Sequence, residues 1–254
     1  MKGLRAIVFD VDGTLVDSER DGHRVAFNRA FEEADLPDRW DVKLYGELLE
    51  ITGGERRITA YLERQGMPQA ERAQTASRLH ARKTEIFTEM AREGAIEPRP
   101  GVRELLDELQ EGGVRLAVAT TGTGAWVHPL LGRLFGADRF EVIVTSDEAP
   151  DRKPDPSAYL LALEQLRLAA PAALAVEDSA NGLRAAKAAA LPCVVVTNDY
   201  TAGQDFADAD LVLDGFGRSD APAEVLSDPH AVDPPGRLDV ESLRRLASVA
   251  IAGR

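Results

Sequence analysis

Cysteine is nearly absent: Cys193 is the single one in 254 residues. One cysteine closes no internal disulfide and builds no thiolate zinc cluster. Its place in the apolar run 191–196 marks it as a small core residue. No stretch of about 18 apolar residues occurs, so no membrane-spanning helix is expected. The start of the chain lacks the apolar segment and small-residue cleavage site of a secretory leader. A reduced, cytoplasmic setting is the expectation. Positive charge is also scarce: 30 Lys and Arg face 43 Asp and Glu, a formal net charge of −13. Such a chain does not coat nucleic acid or an anionic membrane by bulk charge, so an anionic ligand must be held by a few placed cations. Internal repeats are missing too. A composition 44% hydrophobic and 29% charged excludes disorder as the main state.

What is present alternates. Residues 4–9 read as a buried strand. Helices are expected over 18–34, 41–50, 54–65 and 71–92, the first opened by Ser18 and Asp21 as a capping box. Gly66 and Gly94 stand where helix C-terminal glycines belong. Further helices are expected over 102–110, 125–135, 155–167, 180–190 and 238–251. Strands are expected over 114–120, 140–145, 173–177, 193–197 and 210–213, and a surface loop over 215–237. The pattern predicts an α/β fold, a doubly wound parallel sheet with helices on both faces, into which an α-helical domain is inserted. The core would comprise 1–16 and 95–254, the insert 17–94.

In open parallel sheets, ligands bind beyond the carboxyl ends of the strands. There the sequence places Asp10, Asp12, Gly13 and Thr14, then Thr120, Thr121 and Gly122, then Asp147 and Lys153, then Glu177, Asp178 and Ser179. Oxygen ligands of this kind favour Mg²⁺, held by Asp10 and Asp178 with Asp12 and Glu177 as further candidates. A cation would offset the repulsion between a carboxylate nucleophile and a phosphate. Asp10 would attack phosphorus and form an aspartyl phosphate. Asp12 would protonate the leaving oxygen and then deprotonate water. Thr120, favoured over Thr121, and Lys153 would donate to the phosphoryl oxygens. Gly13 lets the backbone turn tightly beside the phosphate.

The run Asp10-Val11-Asp12-Gly13-Thr14-Leu15-Val16 resembles the nucleophile motif of the haloacid dehalogenase superfamily. Thr120 matches its second motif, Lys153 its third and Glu177-Asp178 its fourth. The resemblance implies the superfamily's core, Asp12 as the mark of its phosphotransferase branch, and a type 1 helical cap as the insert. Stretches 17–24, 40–49 and 177–183, with 79–80, 83–85, 200–202 and 205–206, are similar to the CbbY-type family, through about residue 214. Known members hydrolyse xylulose-1,5-bisphosphate at C1 to xylulose 5-phosphate, removing an inhibitor of Rubisco. The resemblance implies that activity here. One departure stands out. Where the family often reads Gly-Gly-Lys with an arginine two residues on, this chain has Gly53-Gly54-Glu55-Arg56-Arg57. Arg57 keeps the arginine, and Arg56 is the candidate to supply the missing lysine charge.

In the insert, Glu19 and His23 are substrate-binding candidates. So are Gly53, Gly54 and Arg57, where a helix start favours anions. His80 and Lys83 share a helix face. Lys83 falls inside the apolar stripe of Leu79, Ile86, Phe87 and Met90, where an unpaired ammonium is costly to bury. Either it snorkels out or it meets a distal phosphate of the substrate. His128 and His230 read as surface residues, Trp40 and Trp126 as packing. The expected protein is a monomeric enzyme for a small sugar phosphate. The rivals are β-phosphoglucomutase, a phosphoglycolate or hexose-phosphate phosphatase, and, from another class, a non-catalytic metabolite-binding module.

Overall fold

A computed structural model describes residues 3–51 and 53–252, with side chains up to 250. The chain forms two compact units. One joins the residues up to Asp17 to those from Glu97 onward, and the other is Ser18–Ile96.

The first unit is built on a seven-stranded sheet of order β3-β2-β1-β4-β5-β6-β7. Its strands are β1 (Ala6–Phe9), β2 (Arg115–Ala119), β3 (Val142–Val144), β4 (Ala173–Glu177), β5 (Cys193–Val196), β6 (Leu211–Leu213) and β7 (Val225–Ser227). The first six pair in parallel. That explains why β1, β4 and β5 read as unbroken apolar runs: both faces are covered, so no position faces water. Helices α7 (Ser157–Leu166) and α8 (Ala180–Ala188) cover one face, packing on Ala6, Val8, Ala117, Ala119 and Ala175. The alternate residues Ile7, Phe9, Leu116 and Val118 are buried on the other face. Helices α5 (Val102–Glu111) and α9 (Val240–Ala252) pack with β2 and β4 respectively. Helix α6 (Gly124–Phe135) follows β2.

The chain order reverses beside β1: β2 and β3 lie to one side, β4, β5, β6 and β7 to the other. Such a reversal opens a crevice at the carboxyl ends of the strands. The registers Phe9↔Val118 and Phe9↔Val176 set Asp10 level with Glu177.

The second unit holds a π-helical turn at Ser18–His23, then α1 (Arg24–Glu33), α2 (Val42–Leu49), α3 (Gly54–Arg64) and α4 (Gln69–Glu93). Phe27, Phe31, Trp40, Tyr45 and Tyr61 form its aromatic centre, with ring centroids 4.7–6.2 Å apart. Gly94 ends α4 in the left-handed conformation, as expected of a helix stop.

Three expectations need correction. The helix expected over 18–34 opens as a π-helical turn at Ser18–His23 and is α-helical only from Arg24; the N-cap of α1 is His23, which makes no side-chain cap bond. The loop expected over 215–237 contains β7, which pairs antiparallel to β6, so the sheet is not wholly parallel. Lys83 does not snorkel: it is 8% exposed.

Candidate active site

The turn after β1 is tight because one residue accepts twice. Thr14 N–H and Val16 N–H both donate to Val11 C=O, and Gly13 N–H donates to Val16 C=O. Gly13 has φ +84°, and a Cβ there would overlap the Asp178 carboxylate. The turn thus packs the first strand's end against the end of β4. Asp10, buried at 6% exposure, is anchored by its N–H to Val176 C=O at 3.0 Å. Asp12 is half-buried in the turn itself.

Three carboxylates meet there. Asp10, Glu177 and Asp178 each present an oxygen within 4.8 Å of the others, and all three are buried. Lys153 Nζ lies 2.5 Å from Asp10 Oδ1 and 2.6 Å from Glu177 Oε1, with a side chain 7% exposed. Tyr159, on α7, also donates to Glu177 Oε1, at 2.6 Å. Glu177 therefore serves as the anchor that aims Lys153 at Asp10.

The electrostatics follow from that packing. Burial, and then the neighbouring carboxylates Glu177, Asp178 and Asp12, raise Asp10 well above the usual carboxylate range, with Lys153 opposing. Burial and then Glu177 push Asp178 up to about 8, against Arg99 and Asn198. Burial disfavours the Lys153 ammonium, but Asp10 and Glu177 outweigh it and hold the group above its ordinary value. Three carboxylates face one ammonium there, an excess of acidic groups in a desolvated space. A divalent cation bound to oxygen ligands fits that excess, so Asp10 and Asp178 have the chemistry to hold one. Glu177 belongs to the same group, although its Oε1 already accepts two hydrogen bonds. Asp12 is outside that group of ligand atoms.

Around the carboxylates stand the hydroxyls and amides. Thr120 is 1% exposed and its Oγ1 accepts from Gly122 N–H at 3.1 Å; Thr121 is partly exposed. At Gly122 a Cβ would overlap the Trp126 ring, so the chain must run close over α6. Asp147 caps α6, accepting from Gly124 N–H at 3.0 Å. Thr14 Oγ1 donates to Asp178 Oδ1 at 3.3 Å.

The helical unit has its own polar set. Glu19 Oε2 accepts from Tyr45 O–H at 2.5 Å. Arg57, 8% exposed, donates to Leu48 C=O at 2.9 Å and to Tyr45 Oη at 3.4 Å. Lys83 Nζ lies 2.9 Å from His23 Nδ1 and sits over the rings of Phe27 and Phe87, at 4.9 and 5.2 Å. The Arg57 guanidinium faces the same Phe27 ring at 6.0 Å. Gly53 is the N-cap of α3, and Gly54 lies so close to His80 that a Cβ would sit 2.7 Å from its ring. Burial, and then Lys83, lower the basicity of His80, with Glu55 opposing. Glu55 and Arg56 are exposed.

Tyr45, Phe27 and Tyr159 were not singled out by the sequence, because each lies in an apolar helical stripe where packing is the ordinary role. Asn198 and Arg99, which reach Asp178 and its turn, sit in loops without a motif. His128 is exposed, as expected. His230 has a partner, Asp210 Oδ1 at 3.2 Å. Cys193, Trp40 and Trp126 are buried, as expected.

Comparison with known proteins gives one consistent picture. The model of the haloacid dehalogenase-like hydrolases matches residues 4–190. A CBBY-like protein of Arabidopsis thaliana is 44% identical over 227 residues, covering 86% of this chain and 70% of the relative. Protein CbbY of Cereibacter sphaeroides is 43% identical over 221 residues, covering 84% of this chain and 93% of the relative. The crystal structure of a CbbY mutant from Rhodobacter sphaeroides in complex with xylulose-(1,5)bisphosphate superposes with a TM-score of 0.70 at 41% identity. It covers 84% of this chain and 94% of that one.

Proposed function

The chain belongs to the haloacid dehalogenase-like hydrolases and, within them, to the CbbY family, and from that premise we propose that it is a Mg²⁺-dependent phosphatase converting xylulose-1,5-bisphosphate to xylulose 5-phosphate. It acts as a monomer beside carbon fixation by Rubisco. The observation that carries the reading is the buried cluster of Asp10, Glu177 and Asp178 around Lys153, together with a relative whose crystal structure holds this bisphosphate.

Asp10 Oδ forms a bond to phosphorus as the bond from phosphorus to the C1 oxygen breaks. Asp12 gives its proton to that leaving oxygen, then takes one from the water that attacks the aspartyl phosphate. Asp10 leaves as a carboxylate and phosphate is released. Lys153, already against Asp10, favours the ionised form of the nucleophile and then donates to the phosphoryl oxygens with Thr120. Held by Asp10 and Asp178, Mg²⁺ supplies the remaining positive charge. Thr121 and Gly122 border the phosphate. In the helical unit, Lys83, His23, Arg57 and His80, with Glu19 and the Gly53-Gly54 turn, recognise the rest of the substrate. A buried ammonium on aromatic faces is a preorganised site for a second phosphate.

The test is a panel of sugar monophosphates and bisphosphates compared by kcat/KM, with Mg²⁺ and with a chelator. Xylulose-1,5-bisphosphate should lead, and the chelator should stop turnover. Rearrangement of β-glucose 1-phosphate without phosphate release would establish the mutase instead. Lys83→Met keeps the packing and deletes the charge. It should lower kcat/KM for the bisphosphate roughly 10- to 100-fold, the value of a charge-assisted contact, and barely affect a small monophosphate. An equal loss on both would assign Lys83 to folding of the helical unit.

A further inference from the structure

Asp178 does not aim itself. Its Oδ2 accepts from Asn198 Nδ2 at 2.8 Å, and the same amide nitrogen reaches Gly13 C=O at 3.3 Å. Asn198 stands just past β5, outside the matched stretch 4–190. Its own place is fixed from both sides: its N–H donates to Thr201 Oγ1 at 3.0 Å, and its Oδ1 accepts from Tyr200 N–H at 2.9 Å. The bond to Tyr200 settles the amide's orientation, because the oxygen is used there and the NH₂ must face Asp178. Arg99 closes the arrangement. Its guanidinium donates to Gly13 C=O at 2.6 Å, Val196 C=O at 3.0 Å and Thr197 C=O at 2.5 Å, over the Phe216 ring at 5.5 Å. Gly13 C=O thus takes hydrogen bonds from both side chains. The turn after β1 and the loop after β5 are tied together with Asp178 between them.

We propose that Asn198 is a positioning residue for the metal site: it fixes the rotation of the Asp178 carboxylate and so sets the affinity for Mg²⁺, without touching substrate. The inference rests on the metal reading above. With Asn198 engaged at Oδ2 and Thr14 at Oδ1, the carboxylate plane is held from both ends. Removing the amide leaves Asp178 in place and free to rotate, which lowers affinity without opening the core. Outer-shell partners of metal ligands typically set affinity or activity by roughly 10- to 100-fold.

The experiment is Mg²⁺ binding by isothermal titration calorimetry, without substrate, on the parent, Asn198→Ala, Asn198→Leu and Asp178→Ala. The leucine variant keeps the side chain's volume and deletes its donor. Melting of the metal-free proteins is followed alongside. The expected result is Mg²⁺ binding by the parent, no measurable binding by Asp178→Ala, and a Kd raised by about 10-fold in both Asn198 variants with the metal-free melting temperature unchanged. A Kd within about twofold of the parent overturns the inference while leaving the metal reading intact. So does loss of cooperative melting in both Asn198 variants, which would make the amide a folding element. If the parent itself takes up no Mg²⁺, the metal reading fails first and the inference with it.

Discussion

Asp10 is pulled in two directions. Burial and three nearby carboxylates favour its protonated form, while the Lys153 ammonium 2.5 Å away favours the charged form that a nucleophile needs. Asn at this position keeps the shape and removes the attack. Asp10→Asn should abolish phosphate release, and calorimetric melting of the metal-free protein should stay close to the parent, since Lys153 retains Glu177 and one buried repulsion is gone. Unfolding of this variant would mean that Asp10 holds the sheet edge together and is not mainly chemical. A second residue is constrained by space. A Cβ on Gly182 would overlap the Glu177 carboxylate, which cannot retreat without dropping Lys153 and Tyr159. Gly182→Ala should cost about 1–3 kcal/mol in urea unfolding, the usual scale of overpacking. A neutral result would show that Glu177 is loosely held. The acids were legible in the sequence because they stand at or just past the ends of apolar strands, and Lys153, in the loop after β3, because it matches the superfamily's third motif. Tyr159 was not: its ring belongs to the stripe by which α7 covers the sheet, although its hydroxyl holds Glu177 and the Lys153 ammonium lies 5.0 Å over its face.

At the scale of elements, long periodic segments were legible and short exposed ones were not. Helix α4 spans Gln69–Glu93, close to the 71–92 read from its stripe. Strand β7 has three exposed residues in a segment rich in Pro, Gly and Asp, so neither alternation nor an apolar run marked it. The π-helical turn at 18–23 escaped because its composition suits an ordinary helix start. Another junction was hidden in plain residues. Asp210 accepts from Lys187 on α8, from Cys193 N–H at the head of β5 and from His230 in the C-terminal segment. Burial opposes its charge, but these donors outweigh burial and lower its pKa. Its folded-state pKa lies below the unfolded one, so its contribution is present above the unfolded carboxylate value of about 4 and fades as pH falls through the folded value. Asp210→Asn should therefore be less stable than the parent at neutral pH, and the gap should close on acidification. Chemical denaturation across that range checks it. A gap that is constant with pH would assign the loss to shape and not to charge.

Across the whole molecule, an acidic chain buries a few cationic side chains in each unit. With a net charge of −13, it keeps the Lys153 side chain buried in the α/β unit and Lys83 and Arg57 buried in the helical unit, the groups proposed above to hold phosphate. The stretch beyond the matched residues 4–190 is not an appendage. It supplies β5 and β6, the α9 side chains Leu243 and Leu246 that are fully buried, and both Asn198 and Phe216. No described helix is long and apolar enough to cross a membrane. The proposed chemistry passes through a phosphate bond on Asp10. That bond is sought by acid-quenching Asp12→Asn during reaction with an aryl phosphate, whose phenolate leaves without a proton from Asp12, and Mg²⁺, then sequencing the peptides by mass spectrometry. Without the base that activates water, the phosphoenzyme should accumulate, and one phosphoryl group should be found on Asp10 and disappear in the Asp10→Asn, Asp12→Asn double variant. Phosphate released in solution with Asp10 never modified, in the parent as in the variant, would contradict the account.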